Sequence, residues 1–434
     1  MAASAPASRR IDLDWLRVLL FAGLIAYHLG LIYASWSPYA LKSIHRAPWI
    51  EILLLTTHPW RMCLLFLISG VATRCAVGKL GAVKLLASRS RQLLPPLLFG
   101  IAFIVPIQSY LTAVEILGYG RPFWAFVPDL FQSGHKVTVA GRYLTMPVYA
   151  HLWFVAYLWV YVAIVAVVLG LAPRLMQAAQ TWLERLMSGA GVLMWPLALM
   201  LVLRFTLNRE FSINLGMVHD WYNHAISGGM FLFGFLIART EKVWDRFVAL
   251  RWPALAIAAL AWAIYAWMAW NRGIPEVVER TNPIMHVLYP AERWCAIVAI
   301  LGFSKRWLAG PLAIVADGPV LRYLNGAIFT YYIVHQPALL VMIHALKPMH
   351  LDAAAEVALV LAGTIACCGL AYEVARGLGG LGVLLGAPRG RAAPGWVVAV
   401  RGAAVGLFKD LAAPLDGRAR HKARYGLEEQ AQAQ

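Results

Sequence analysis

The chain has 434 residues, of which 61% are hydrophobic and only 14% are charged, and its mean hydropathy is +0.66. A soluble protein of this composition would have too few polar side chains to cover its surface, so the composition favours a protein that spans a membrane. The formal net charge of +17 does not indicate nucleic-acid binding, because the basic residues are dispersed between apolar segments. The five cysteines show neither metal-ligand spacing nor the pattern of a disulfide framework.

Ten segments are apolar and long enough to be candidate membrane-spanning helices. In chain order they cover about residues 13–35, 60–78, 93–113, 151–170, 190–207, 223–239, 252–270, 286–303, 321–346 and 355–376. The first segment lacks a signal-peptide cleavage site, so we expect it to remain in the protein. The sequence therefore predicts an all-α, polytopic membrane protein with about ten transmembrane helices.

Lysine and arginine are concentrated in the loops that lie on the same side of the membrane as the N-terminus. The positive-inside rule then places both termini in the cytoplasm, and we expect a multi-pass protein of a bacterial inner membrane. Residues 1–376 would form the transmembrane domain. Residues 377–434 would form a cytoplasmic tail, with 396–411 as a candidate interfacial helix and a disordered remainder. The long segment 114–150 is predicted to be an outer loop that covers an outward-facing site.

Arg17 and His28 lie eleven residues apart inside the first apolar segment. Eleven residues make about three turns of an α-helix, so both side chains project from one face, and Asp14 lies one turn before Arg17 on that face. Ionisable groups within a span cost free energy and usually pair or perform a function. A snorkelling arginine and a core histidine would explain each residue singly. Together the residues favour polar chemistry inside the membrane.

Further polar side chains lie in the second and third spans. The segment 58–74 holds His58, Arg61, Ser69, Gly70 and Arg74. The small pair Ser69–Gly70 would let a ligand approach closely, although simple helix packing explains it equally well. Arg89 and Arg91 open the third span on the cytoplasmic side. An arginine fork recognises phosphate well, and the alternative explanation is the ordinary positive-inside signal.

Five histidines are predicted to lie in the outer half of the membrane on five different helices: His28, His58, His151, His224 and His335. A bundle that brings them together would enclose a polar cavity, and a histidine there can take a proton from a hydroxyl group. Trp153, Tyr332 and Glu292 lie near the same level, although Trp153 also fits an interfacial anchor. The sequence contains no metal-site spacing, P-loop, nucleophile elbow or dinucleotide fingerprint.

These residues carry a resemblance to a known family. The stretch from Arg17 to His28, with ten residues between them, FLISG at 66–70, the pair Arg89 and Arg91, HLWF at 151–154 and YIVH at 332–335 occur in this order. In these motifs the chain resembles the acyltransferase-3 family of integral-membrane O-acyltransferases over about residues 10–376. HPWRMCLLFLISG and the VHQP ending look most like the branch that includes the periplasmic-glucan succinyltransferases.

The resemblance implies an activity and roles for the residues. Acyl-CoA, with succinyl favoured and acetyl as the alternative, would bind from the cytoplasm as a co-substrate, with no tightly bound cofactor and no metal. His28 would be the general base, or would carry the acyl group itself, with Arg17 and Asp14 orienting the helix or the donor. The donor site would comprise Arg89, Arg91, Arg74, Ser69 and Gly70. A glycan, with a periplasmic glucan favoured, would be the acceptor and would contact His58, Arg61, His151, Trp153, His224, Glu292, Tyr332 and His335.

The expected partners are therefore membrane lipid, acyl-CoA and a glycan, without nucleic acid, and the sequence leaves open whether the protein forms a homo-oligomer. A different class of function explains the same buried polar residues. A proton-coupled transporter of a glycan or an organic anion would also need histidines and arginines inside the membrane. Acyl transfer by the purified protein in detergent separates the two hypotheses, because transport requires two compartments.

Overall fold

A computed structural model describes residues 10–35, 41–211, 213–273, 282–309 and 318–388. The described chain is almost entirely helical. Its α-helices are α1 (Ile11–Tyr33), α2 (Pro48–Leu55), α3 (Arg61–Leu80), α4 (Ala82–Phe99), α5 (Val105–Leu117), α6 (Phe123–Gln132), α7 (Trp153–Leu171), α8 (Pro173–Leu186), α9 (Gly191–Phe205), α10 (Leu207–Glu210), α11 (Trp221–Asn223), α12 (Gly229–Ile237), α13 (Glu241–Arg272), α14 (Pro283–Trp307), α15 (Pro319–Leu346) and α16 (Ala353–Gly377).

Shorter elements join these helices. A π-helical turn, Gly100–Ile104, links α4 to α5, and a second, His224–Gly228, links α11 to α12. The 3₁₀ turns are Ala150–Leu152, Lys347–Met349 and Gly379–Leu385. The strands β1 (Lys136–Val139) and β2 (Arg142–Thr145) form one antiparallel hairpin in which Lys136 pairs with Thr145.

Local sequence explains where several helices begin. Proline occupies the first turn of α2, α8, α14 and α15, where its missing N–H group costs no helical hydrogen bond. The side chain of Asn282 caps α14 by accepting from the backbone N–H of Ile284. Asp352 caps α16 in the same way.

All ten apolar segments predicted from the sequence are helical. Nine helical stretches within the described residues are long and apolar enough to cross a membrane. The remaining segment is the sixth in chain order, predicted at 223–239. It forms a helix over 221–237 that is seventeen residues long, just below the length of an ordinary span. It runs parallel to α3, because Gly234 lies against Leu67 and Arg239 lies against Gly78.

The core is built from three extensive helix pairs, α13 with α14, α3 with α12, and α15 with α16, and α1 lies along α15. The closest of these contacts is between α3 and α12. A Cβ atom at Gly70 would lie 2.0 Å from the carbonyl oxygen of Phe231, and one at Gly234 would lie 2.0 Å from the carbonyl oxygen of Leu67. The two glycines therefore let the two backbones touch, which is how small residues drive helix packing in a membrane.

The segment predicted to be a long outer loop is folded. Helix α6 and the β-hairpin pack against the end of α5 around Leu117, Phe126, Leu130 and Val137. None of these residues lines either of the two membrane cavities described below. At the other end of the chain, the 3₁₀ turn Gly379–Leu385 packs on α4 and α16. The first residues of the predicted tail thus lie against the bundle, and the candidate interfacial helix at 396–411 lies outside the described residues.

We expect Gly234→Ala to destabilise the protein by about 1–3 kcal/mol, because the new methyl group would overlap the backbone of α3. Gly229 provides a matched control on the same helix, since a Cβ atom there meets nothing within 4 Å. Gly229→Ala should leave the thermal midpoint of the purified protein in detergent unchanged or slightly raised. Equal midpoints for the two variants would contradict the close packing of α3 against α12.

Candidate active site

One face of α1 lines two cavities inside the bundle. Arg17 and Phe21 contribute to the wall of the first, and Leu24 and His28 to the wall of the second. These positions follow one another at intervals of four, three and four residues, which is the spacing of a single helical face. The face predicted from the sequence is therefore directed at the interior of the bundle. We call the cavity beside Arg17 the inner cavity and the one beside His28 the outer cavity, following the predicted orientation of α1.

The outer cavity has a volume of about 280 Å³. Helices α1, α3, α7, α11, α14 and α15 and the turns next to them contribute to its wall. Its polar lining residues are Tyr27, His28, His58, Arg61, His151, Trp153, Tyr222, Asn223, Ser227, Tyr289, Arg293 and Tyr332. Ile213 and Leu215 from the loop before α11 also line it. That loop, rather than the predicted segment 114–150, is the one that borders the cavity.

A hydrogen bond between two histidines determines which nitrogen of His28 is basic. His28 Nδ1 lies 2.8 Å from His335 Nε2, and His335 Nδ1 lies 2.7 Å from the backbone oxygen of Tyr332. A carbonyl oxygen only accepts, so His335 Nδ1 carries the proton. With both rings neutral, His335 Nε2 must accept, and His28 Nδ1 must donate to it. The lone pair of His28 is then on Nε2, and this orientation of an imidazole by a second group is typical of a general base.

A second polar group, which includes Tyr27 next to His28 on α1, also lines the outer cavity. Tyr27 Oη and His58 Nδ1 are 2.7 Å apart, and the Arg61 guanidinium lies 3.6 Å above the centre of the Tyr27 ring. Arg293 donates from Nε to the backbone oxygen of Pro59 at 2.7 Å. These contacts join α1, the start of α3 and α14 around the cavity.

The charges on the wall of the outer cavity are all positive. Arg61 and Arg293 are 5% and 4% exposed, and no aspartate or glutamate is among the described residues that line the cavity. The buried carboxylate of Asp220 accepts hydrogen bonds from Tyr157 and Asn223 and does not line it. Buried guanidinium groups need a negative partner to offset their desolvation. The cavity is thus suited to an anionic group.

The inner cavity, of about 240 Å³, is lined by two further arginines, Arg17 and Arg89. Arg17 forms a long ion pair with Asp14, at 3.9 Å, and Arg89 donates to the neutral side chain of Gln92 at 2.8 Å. Ser69 also lines this cavity. Two cations in one small cavity attract an anion, and a forked guanidinium suits phosphate.

A third, more open cavity of about 500 Å³ adjoins the inner one, and we call it the entry cavity. Arg91 and Ser88 line it, and it shares Gln92, Asn325 and Phe329 with the inner cavity. The Asn325 carboxamide lies at this junction. Neither its oxygen nor its nitrogen has a hydrogen-bond partner among the described residues. An unsatisfied buried amide of this kind is expected to be satisfied by a ligand or by water.

Tyr332 separates the inner cavity from the outer one and is the residue that lines both. Its ring centre lies 5.6 Å from that of Phe21 and 6.2 Å from that of Phe154, and its hydroxyl donates to the backbone oxygen of His151. Tyr332 therefore forms an aromatic barrier at the boundary between the inner cavity and the outer cavity.

Six of the predicted site residues do not line these cavities. Two of them act on residues that do, since Asp14 pairs with Arg17 and His335 is bonded to His28. Gly70 packs on the backbone of α12, and the Arg74 guanidinium lies 5.3 Å from the ring centre of Phe235. His224 is bonded to Tyr161 and to the backbone oxygen of Met217, on the far side of the helix from the outer cavity. Glu292 is 2% exposed and is not a lining residue. Their roles in binding stay predictions.

The structure also brings in residues that are not among the predicted site residues. Arg293 is the clearest case, because it lines the outer cavity whereas Glu292, the residue before it, does not. Tyr27 and Asn223 are others, each adjacent to a predicted histidine. Arginine inside the apolar segment 286–303 was a usable signal, since a guanidinium within a span rarely lacks a role.

Comparison with known proteins agrees with this geometry. Residues 10–373 match the family model described as an acyltransferase domain, of the acyltransferase-3 type. No curated protein and no solved structure matches the chain. The matched region covers more than four fifths of the sequence and all nine candidate spans except the last residues of the ninth. The chain therefore belongs to the acyltransferase-3 family and is a multi-pass membrane acyltransferase.

Proposed function

We propose that the protein transfers an acyl group from cytoplasmic acyl-CoA to a hydroxyl group of a glycan on the outer side of a bacterial inner membrane. The observation that carries this proposal is the position of His28. Its Nε2 is the acceptor nitrogen of an oriented imidazole in a polar cavity, and this cavity shares the lining residue Tyr332 with the inner cavity, which Arg17 and Arg89 line. The family membership supports an acyltransferase in general.

The three cavities match the parts of acyl-CoA in order. Arg91 in the entry cavity and Arg89 with Arg17 in the inner cavity would bind the phosphates. The eleven residues from Arg17 to His28 span about 16 Å along the helix, a length comparable to the pantetheine arm. The arm carries two amides, for which the unpaired carboxamide of Asn325 is a suitable partner. The thioester would then pass Tyr332 to reach His28.

His28 would act as the general base. Its Nε2 accepts the proton of the acceptor hydroxyl while the hydroxyl oxygen attacks the thioester carbonyl, forming a C–O bond. The C–S bond then breaks, and the CoA thiolate takes the proton from His28. Since only the acyl group and part of the arm enter the outer half, no nucleotide crosses the membrane. An acyl-His28 intermediate is a variant of the same scheme.

We infer that the acyl group carries a carboxylate, which favours succinyl over acetyl. Arg61 and Arg293 line the cavity that holds the reacting carbonyl, without a carboxylate on the wall among the described residues. The free carboxylate of a succinyl group would bring a negative charge to these two guanidinium groups, whereas an acetyl group brings none. This agrees with the resemblance to the glucan succinyltransferases and favours a periplasmic glucan as the acceptor.

The second candidate function, a proton-coupled transporter, receives support from one observation. The inner and outer cavities share the lining residue Tyr332, as two halves of a transport path would share a residue at their boundary. Turnover of acyl-CoA by the purified protein in detergent, with the ester product detected by mass spectrometry, supports the enzyme. Protein that binds a glycan but never cleaves a thioester would support the transporter.

His28→Ala should lower the rate of acyl transfer by roughly 10²–10⁴-fold, the range for the loss of a positioned general base. The rate is measured as release of free CoA in the presence of a glucoside acceptor. His344→Ala is the matched control, because His344 is exposed on α15 and lies in none of the three cavities. Near-normal turnover in the His28 variant would remove this residue from the mechanism.

Arg89→Ala should raise the KM for acyl-CoA roughly tenfold or more, because a charge-assisted hydrogen bond to phosphate is lost. The value of kcat should change much less. Arg174→Ala serves as the control, since Arg174 is an exposed arginine at the start of α8. A KM for acyl-CoA that is unchanged in the Arg89 variant would contradict the donor path through the inner cavity.

Arg293→Gln should reduce kcat/KM for succinyl-CoA roughly tenfold or more while it leaves kcat/KM for acetyl-CoA nearly unchanged. Glutamine keeps an N–H donor for the backbone oxygen of Pro59, which Arg293 now contacts. The informative quantity is the ratio of the two specificity constants, because general damage to the site lowers both. A constant ratio would argue against a carboxylate-bearing acyl group.

A further inference from the structure

His151 lies in the 3₁₀ turn that precedes α7, and it lines the outer cavity. It is 6% exposed, and its ring centre lies 5.6 Å from that of His335. The backbone oxygen of His151 accepts a hydrogen bond from the Tyr332 hydroxyl. His151 is therefore packed between the aromatic barrier and the histidine that orients His28.

A proline in α15 determines how the His151 ring is bound. Pro337 has no N–H group, so the carbonyl oxygen of Ile333, four residues before it, lacks its helical partner. His151 Nε2 lies 2.8 Å from that oxygen. Because a carbonyl oxygen only accepts, Nε2 carries the proton, and the lone pair of the neutral ring is on Nδ1.

His151 Nδ1 is buried and has no hydrogen-bond partner among the described residues. A buried acceptor left unsatisfied costs free energy, so a donor is expected from a ligand or a water molecule. Arg61 and Arg293 on the same wall disfavour a cationic donor. A neutral hydroxyl is the donor that fits both the lone pair and the surrounding charge.

His28 Nε2 and His151 Nδ1 are thus two acceptor nitrogens of one cavity, each set by a backbone carbonyl of α15. We propose that His151 Nδ1 accepts a hydrogen bond from a second hydroxyl of the acceptor sugar, next to the hydroxyl that His28 deprotonates. This assignment rests on the proposed acyl transfer. It makes His151 a residue that selects a polyol acceptor over a simple alcohol and determines which hydroxyl is acylated.

The experiment pairs enzyme variants with altered acceptors. Methyl glucoside and its monodeoxy analogues are the probes, with succinyl-CoA as the donor at saturation. For the wild-type protein, one analogue should not react because it lacks the acylated hydroxyl. A second should lose roughly tenfold in kcat/KM because it lacks the partner of His151. His151→Leu should lose a similar factor with methyl glucoside itself and should be insensitive to the second deoxygenation.

Two variants keep the result independent of folding. His151→Asn places an amide near the position of Nδ1. Relative to His151→Leu, it should restore part of the activity and part of the sensitivity to the second deoxygenation. Pro337→Ala returns an N–H group to the helix, which competes for the Ile333 carbonyl, and should weaken the sensitivity without touching the cavity wall. The proposal is overturned if the relative kcat/KM values for the monodeoxy analogues are the same in wild type and His151→Leu. The same result is expected if Nδ1 binds only water. No acyl transfer by the wild-type protein would instead overturn the proposed function.

Discussion

The hydrogen bond between His28 and His335 is the constraint on which the arrangement of the bundle centre depends. It joins α1 to α15 and has a fixed direction, because His335 is in turn bound to a backbone oxygen that can only accept. The two helices must keep this register for the imidazole to be oriented. Tyr332, one turn before His335, is placed by the same register, and with it the barrier between the cavities.

Charge is distributed around this centre in a way that suits transfer between two sides of a membrane. Arginines line the cavities on both sides of Tyr332. Within the apolar bundle, the cost of burying each guanidinium group is offset by an anion or a hydrogen-bond acceptor. In the proposed reaction the phosphates satisfy Arg17 and Arg89, and the carboxylate of the acyl group satisfies Arg61 and Arg293. The barrier between them has to admit only the slender arm and its thioester.

Helical periodicity was sufficient to predict the face of α1 that carries Arg17 and His28, because the spacing of residues on one helix is a local property. The same reasoning led us to expect five converging histidines, and the structure agrees in part. His28, His58 and His151 line one cavity and His335 bonds to His28, whereas His224 points to the other side of its helix. The periodicity of one helix does not show which other helix packs against each of its faces.

The sequence by itself determined the helical, membrane-spanning class, the approximate position of ten apolar helices and the polar face of the first one, since these follow from composition and local spacing. Only the tertiary structure decided which nitrogens of His28, His151 and His335 carry a proton, that Arg293 lines the same cavity as His28, and that Gly70 packs on the backbone of α12. The reason is physical: a proton position, a shared cavity and a backbone contact each depend on a partner that is remote in the chain, and local patterns contain no record of that partner.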